Sequence, residues 1–280
     1  MRVNENHRLV ADNGRLVPFE LTNNKGAQFG SGCPSYLIMH YTAGGTADGA
    51  ISWFRNRESD ASAHLVIDHN GAITQMVPFN TVAWHAGRSS WRNLVGMNQY
   101  AIGIEIVNWG LLNGEPGNWR NRVGGRVPDE RVIRARHKNF DPSTMHGWEI
   151  FEQAQMEAAL LAASAIVKHY GIPEQNLLGH DDVSPGRKQD PGPAFNLERF
   201  RAQLYGRASN SDNLFKVVSG TGLTLRTGPG VSFNAIEMLK DGSLVRQIGA
   251  DGVWFEVNPL STGAPQDKIG WVHSRWLEAA

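Results

Sequence analysis

Between Gly179 and Phe195 the chain reads Gly-His-Asp-Asp-Val-Ser-Pro-Gly-Arg-Lys-Gln-Asp-Pro-Gly-Pro-Ala-Phe. Its prolines make this a stiffened loop, and the loop carries an imidazole, a lysine and several carboxylates that a folded protein has to solvate, pair or use. His180 offers a neutral nitrogen ligand and Asp190 a carboxylate. Lys188 sets a cation two residues before Asp190, on the side that alternate residues of an extended backbone share. Pro191 pushes Asp190 out of the helical region, so its backbone is held before any ligand arrives. Preorganisation of that kind points to a metal site built for catalysis rather than for packing.

One short loop supplies a single imidazole, so a second has to come from elsewhere. His40 lies in Tyr36-Leu-Ile-Met-His-Tyr-Thr42, an apolar run bounded by Cys33-Pro34 and Ala43-Gly44-Gly45. That run reads as a buried strand ending at a glycine-rich turn. Taken alone, His40 is a core histidine bonded to a backbone carbonyl; beside the proline-bounded loop it becomes the second ligand. Glu105 lies within Ala101-Ile-Gly-Ile-Glu-Ile-Val-Asn108, where alternation puts Ile102, Ile104 and Ile106 on one face and Gly103, Glu105 and Val107 on the other. A carboxylate inside such a strand either faces water at a sheet edge or serves a site.

The remaining pattern alternates strands and helices. Residues 46–57 read as a helix with Ile51 and Phe54 on one face, and residues 62–68 and 72–77 as a hairpin about His69-Asn70-Gly71. The clearest helix is predicted over residues 148–169. Phe151, Ala154, Ala158, Leu161, Ala162 and Ala165 form its apolar stripe, Glu152, Gln155 and Lys168 lie off it, and Gly171 and Pro173 stop it. A short helix over residues 196–205 closes a first domain, residues 1–205, of α/β class: a mixed central sheet flanked by helices. Residues 206–213, small and polar, read as a linker. Residues 215–218, 223–226, 236–239, 244–248, 254–257 and 269–272 are short alternating runs between turn signals, which predicts a small all-β barrel over residues 214–280.

Composition narrows the class of partner. Lys plus Arg and Asp plus Glu are both 27 in 280 residues, so the net charge is zero and no nucleic-acid partner is expected. Residues 109–140 depart from that balance, with Arg120, Arg122, Arg126, Arg131, Arg134, Arg136 and Lys138 against Glu115, Asp129 and Glu130. The segment reads either as a flap over an anionic substrate or as an ordinary solvated insertion. Cys33 is the single cysteine, which excludes an internal disulfide and a cysteine-rich zinc module. The run Met1-Arg-Val-Asn-Glu-Asn-His-Arg-Leu-Val10 lacks the apolar core of a secretory signal, and no stretch approaches the ~20 apolar residues of a membrane span. The expectation is a chain made in the cytoplasm, without stable membrane insertion; the sequence carries no signal for oligomeric state. His7, His69, His137, His146, His169 and His273 read as surface or packing residues.

With these residues in place, the chain resembles the zinc-dependent N-acetylmuramoyl-L-alanine amidases, the type 2 amidase and peptidoglycan recognition family. The likeness spans roughly residues 30–205 as ordered landmarks: Met39-His-Tyr-Thr42, Ser62-Ala-His64 with Ile67-Asp-His-Asn-Gly71, Trp84-His-Ala-Gly87, Gly103-Ile-Glu105, and the loop from His180 to Phe195. The resemblance implies His40, His180 and Asp190 as Zn(2+) ligands, Glu105 as general base and Lys188 as the group that stabilises the oxyanion. It implies hydrolysis of the amide joining N-acetylmuramic acid to L-alanine in peptidoglycan, with an open metal position lowering the pKa of water to about 7. His64, Trp84 and His85 become candidate substrate contacts; from sequence alone His64 is equally a packed core histidine and Trp84 a core indole. Some phage members carry cysteine at the place of Asp190 and tyrosine just before the histidine matching His64. Asp190 and Ala63 here align the chain with the glutamate-using branch. Relatives that bind muropeptides without cutting them typically lack a zinc ligand, so the full set favours catalysis.

The C-terminal runs resemble bacterial SH3 domains through Leu223-Thr-Leu-Arg-Thr-Gly-Pro-Gly230 and Gly270-Trp-Val-His-Ser-Arg-Trp-Leu277. The implied task is holding the enzyme on the cell wall, with a purely stabilising module as the other reading. Together the two resemblances imply a lytic, endolysin-type enzyme that meets peptidoglycan after release or delivery. The alternative is a cytoplasmic recycling amidase of soluble muropeptides, whose diffusing substrate would not require a wall-binding module.

Overall fold

The computed structural model describes residues 1–206, 214–251, 253–260 and 269–280. Apart from Gly206, the expected linker lies outside the described residues. The chain divides into two compact units, Met1–Leu197 and Glu198–Ala280.

The first unit is organised by a five-stranded mixed sheet, in the order Leu177–Gly179, Tyr36–Tyr41, Ala101–Ile106, Leu65–Ile67 and Ile73–Gln75. Neighbours among the first four pair in parallel and the last is antiparallel. Tyr36–Tyr41 and Ala101–Ile106 are buried along their whole length. That burial accounts for near-continuous apolar runs, since strands covered on both faces have no solvent side to mark with polar residues. The Glu105 strand is central, so the edge-strand reading of Glu105 falls away. Register places Glu105 directly beside His40 on one side and Val66 on the other, so the carboxylate and the imidazole start from one face of the sheet.

On that face Tyr36, Ile38, Ala101 and Leu178 pack with Ala86, Met97 and Val183. Phe54 of the helix Ala47–Arg55 clusters with Ala63, Val66, Ala83 and Val107. Thr46 caps that helix, its hydroxyl accepting the Gly49 N–H at 3.1 Å. The hairpin turn closes through the Asp68 N–H donating to the Ala72 carbonyl at 2.9 Å.

The long helix begins later than the sequence predicts, at Gln153, and runs to Tyr170. Trp148 belongs instead to the strand His146–Glu149. Gln155, expected off the apolar stripe, is fully buried; Leu161, expected on it, is 45% exposed. The reason is a polar obligation that periodicity does not register. Gln155 Oε1 accepts the Glu152 N–H at 2.9 Å, capping the helix, while its Nε2 donates to the Val107 carbonyl at 2.7 Å, where the sheet runs out. Ala158, Ala159, Ala162 and Ala163 are small enough for the helix to lie close against the strands Ala101–Ile106 and Leu65–Ile67.

The basic segment is structured. Leu111–Leu112, Val132–Ala135 and His146–Glu149 form a three-stranded sheet, and Trp119–Arg120 pairs with Arg126–Val127 over a small core of Leu112, Trp119 and Val127. In the second unit, seven strands pair antiparallel in the order Ala235–Leu239, Leu223–Arg226, Gly270–His273, Trp254–Pro259, Leu244–Asp251, Leu214–Val217 and Leu277–Ala279. Val217, Leu225, Val245, Val257 and Val272 form its centre. Among the described residues no helix is long and apolar enough to cross a membrane.

Gly171 ends the long helix in the left-handed region at φ 65°, and nothing lies within 4 Å of where a Cβ would stand. Gly171→Ala should therefore add backbone strain alone, about 1 kcal/mol by urea unfolding, with metal binding unchanged. A loss of several kcal/mol would show that the helix end does more than turn the chain.

Candidate metal centre

Adjacent parallel strands deliver the two imidazoles to one edge of the sheet, at the carboxyl ends where α/β sheets place their ligands. His40 is the fifth residue of Tyr36–Tyr41. His180 follows Leu177–Gly179 and opens the single-turn helix His180–Val183. Asp190 returns from the loop, pinned by its own carbonyl accepting the Asp181 N–H at 2.8 Å. His40 Nδ1 and His180 Nδ1 stand 2.9 Å apart, and Asp190 Oδ2 lies 2.9 Å from the first and 2.8 Å from the second. All three residues are buried.

This donor set suits a cation. Burial would raise the Asp190 carboxyl, but His180 and His40 outweigh that effect and hold it well below the usual carboxylate range. Burial, with His180 nearby, lowers His40 to about 4, against the opposing pull of Asp190. His180 directs its other nitrogen, Nε2, to the Ala86 carbonyl at 3.1 Å, which commits the ring proton there and leaves Nδ1 with a lone pair toward the centre. Two imidazole nitrogens and one carboxylate oxygen converging in this way could hold a metal ion, and they match in type and number the donors of three-residue zinc sites.

Glu105 is buried, and its Oε2 has no hydrogen-bond partner among the described residues. Burial, reinforced by the charge of Asp190 and opposed by Lys188, pushes its carboxyl up to about 8. An orphaned, easily protonated carboxylate beside a cation site is what proton transfer requires. Lys188 is half-buried, with its ammonium in no ion pair among the described residues, and its charge reaches both His40 and Glu105.

The other expected contacts sort differently. His64 has no exposed surface, its Nε2 bonds the Thr81 carbonyl at 2.9 Å, and its Nδ1 accepts the Gly103 N–H at 3.0 Å. No ring nitrogen remains to meet a substrate, so the core-histidine alternative describes it. His85 is also buried, with Nδ1 3.0 Å from His40 Nε2. Trp84 stays half-buried, its backbone tied to Ser62.

Several supporting residues carry no local signal in the sequence. His137, read as surface or packing, stacks on Trp148 and bonds the Asp181 carboxylate and the Gln189 carbonyl, each at 3.1 Å. Lys138 pairs with Asp181 and Asp182, and Asn139 donates to the Asp181 carbonyl at 2.8 Å. The basic segment thus braces the metal loop from behind, which neither the flap nor the solvated-insertion reading anticipates. Arg187 donates to the carbonyls of Ala86 at 2.7 Å and Arg88 at 2.8 Å, tying that loop to the Trp84–Gly87 landmark. Asn98 Oδ1 accepts the N–H groups of His85 and Ala86 at 3.1 and 2.7 Å.

Because the folded chain keeps the Glu105 proton up to about pH 8, whereas the unfolded chain releases it near 4.5, metal-free stability should fall as pH rises across that window. Glu105→Gln removes the penalty. In metal-free protein its Tm should exceed the wild type's at pH 8 and converge with it near pH 4; equal values at pH 8 would mean that the carboxylate is not desolvated.

The sequence pattern of the N-acetylmuramoyl-L-alanine amidase family matches residues 30–193, a span holding every residue of the centre. The N-acetylmuramoyl-L-alanine amidase AmiD of Escherichia coli K12 is 30% identical over 195 residues, covering 67% of this chain and 59% of that protein. The 1,6-anhydro-N-acetylmuramyl-L-alanine amidase AmpD of Citrobacter freundii is 30% identical over 141 residues, 50% of this chain and 56% of that one. The chain therefore spans somewhat over half the length of these relatives. A solved complex of E. coli AmiD with anhydro-N-acetylmuramic acid-L-Ala-D-gamma-Glu-L-Lys superposes with a TM-score of 0.45 at 26% identity, covering 69% of this chain and 65% of that one. With more than half of its residues matched and the converging histidine, histidine and aspartate inside the match, this chain belongs to the N-acetylmuramoyl-L-alanine amidase family.

Proposed function

We propose that the protein is a zinc-dependent hydrolase that cleaves the amide between N-acetylmuramic acid and L-alanine in peptidoglycan. The observation that carries this reading is the convergence of His40, His180 and Asp190 next to a buried Glu105 whose Oε2 has no hydrogen-bond partner among the described residues. Zinc held by those three residues would polarise the scissile carbonyl and make water nucleophilic near neutral pH. Glu105, whose carboxyl a cation held at this centre would draw back toward its ionised form, accepts the proton of the attacking water and returns it to the departing nitrogen of L-alanine. Lys188 supplies a positive charge for the oxygen that becomes negative as the carbonyl turns tetrahedral, an effect typically worth about 3–4 kcal/mol per donor. Amide nitrogen leaves only once protonated, so the two roles are complementary.

For the second unit we propose an SH3-like module that holds the enzyme on the wall, over residues 214–280 beside an amidase domain of residues 1–205. Support comes from the two SH3-like sequence runs and from an all-antiparallel strand arrangement with its own apolar centre. On this reading the enzyme is lytic, of endolysin type, and acts on the wall after release or delivery. The names of the AmpD relatives favour a second reading, turnover of soluble 1,6-anhydro muropeptides.

Digestion of purified sacculi should free alanine amino groups without new reducing ends, and a chelator should abolish the release. Reducing ends would instead indicate glycosidase chemistry. Glu105→Ala should keep its zinc and lose at least ~100-fold in turnover; an unchanged rate removes Glu105 from proton transfer. Deleting residues 214–280 should weaken pelleting with sacculi more than hydrolysis of a soluble muropeptide. Equal losses in both assays would favour a stabilising module, and faster hydrolysis of soluble 1,6-anhydro muropeptides than of sacculi would favour recycling.

A further inference from the structure

His85, expected among substrate contacts, stands behind a metal ligand. His40 Nε2 is 3.0 Å from His85 Nδ1, and His85 Nε2 is 3.0 Å from the Ala101 carbonyl oxygen. The direction of this chain is set at its far end. A carbonyl only accepts, so His85 Nε2 carries the ring proton; Nδ1 then holds a lone pair, and His40 Nε2 donates to it. His40 is left with a bare Nδ1, the atom 2.9 Å from both Asp190 Oδ2 and His180 Nδ1. The opposite direction would set the lone pairs of His85 Nε2 and the Ala101 carbonyl against each other.

Backbone geometry seats the ring. Gly103 lies two residues before Glu105 on the same face of the strand, and a Cβ there would stand 2.4 Å from His85 Cγ and 2.6 Å from its Nδ1. The imidazole lies against main chain that only glycine leaves open. Gly103 is held in turn by His64, whose Nδ1 accepts its N–H and whose main-chain N–H donates to its carbonyl, both at 3.0 Å. Asn98 fixes His85 from the loop side. The Trp84–Gly87 and Gly103–Glu105 landmarks thus meet at one contact.

We infer that His85 is a positioning residue for the metal, holding His40 in the Nε2–H tautomer and aiming the Nδ1 lone pair at the centre, with Gly103 as its seat. The inference rests on the reading of His40, His180 and Asp190 as zinc ligands. A ligating histidine usually hands its second N–H to a carboxylate or carbonyl, and loss of such a partner costs ~10–100-fold in metal affinity. Here a second histidine relays that bond to the main chain.

Long-range proton–nitrogen correlation spectra of the zinc-loaded full chain should show His40 protonated at Nε2; protonation at Nδ1 overturns the inference without any variant. Zinc affinity, read by competition with a chromophoric chelator, should fall ~10–100-fold in His85→Leu at unchanged circular dichroism. His85→Asn, which keeps an acceptor oxygen near the place of Nδ1, should recover most of that loss. Gly103→Ala leaves every ring nitrogen present and displaces the His85 ring, so it should weaken zinc in the same direction. A His85→Leu protein that binds zinc within about twofold of wild type sinks the inference, as does His85→Asn no better than His85→Leu. Should His85→Leu fail to fold, the wild-type spectra and the other two variants decide it. Wild-type protein that binds no zinc would instead sink the metal assignment itself.

Discussion

Parallel pairing of Tyr36–Tyr41 with both Leu177–Gly179 and Ala101–Ile106 is the constraint on which the centre depends. Three segments far apart in the chain contribute the ligands and the acidic group, and none carries a site alone. Parallel strands end at a common edge, so His40, the start of the His180 helix and Glu105 arrive there together. The cost of burying these groups is met by what they do to one another. Asp190 keeps its charge because two imidazoles face it, whereas Glu105, its Oε2 without a hydrogen bond among the described residues, holds its proton to about pH 8.

Around that edge several polar side chains hold backbone and loops in place. Arg187 ties the metal loop to the Trp84–Gly87 loop, Asn98 ties the latter to itself, and His137, Lys138 and Asn139 hold the Asp181 side of the metal loop. The basic segment is thereby joined to the ligand-bearing loop, and part of its positive charge balances the acidic pair Asp181 and Asp182. Rigid support of this kind suits a site whose donors stand within 3 Å of one another, where a small displacement breaks the set.

Glycines make two of the close approaches. Gly103 admits the His85 ring beneath the centre, and Gly192 admits the Trp148 indole, which packs against His137. In both cases a small residue in one segment is explained by a large one in another. Pattern reading missed the second case by assigning Trp148 to the long helix, because a tryptophan followed by spaced alanines has the same period whether or not the first turn exists.

The ligand and proton-transfer candidates were legible from residue type and local stiffness: a histidine at a strand end, a carboxylate before proline, a glutamate in an otherwise apolar strand. Those are properties of the residues and their neighbours in the chain, so sequence alone determines them, as it determines the alternating runs of the second unit. What only the tertiary structure decided is where each polar atom finds its partner. His64 and His85 are both histidines next to the centre, yet one is closed off by the carbonyl of Thr81 and the N–H of Gly103 while the other stands against His40. Gln155 is buried because a carbonyl at residue 107 needs a donor. Such assignments depend on backbone atoms brought together by sheet register and loop packing, and no local pattern in the chain encodes them.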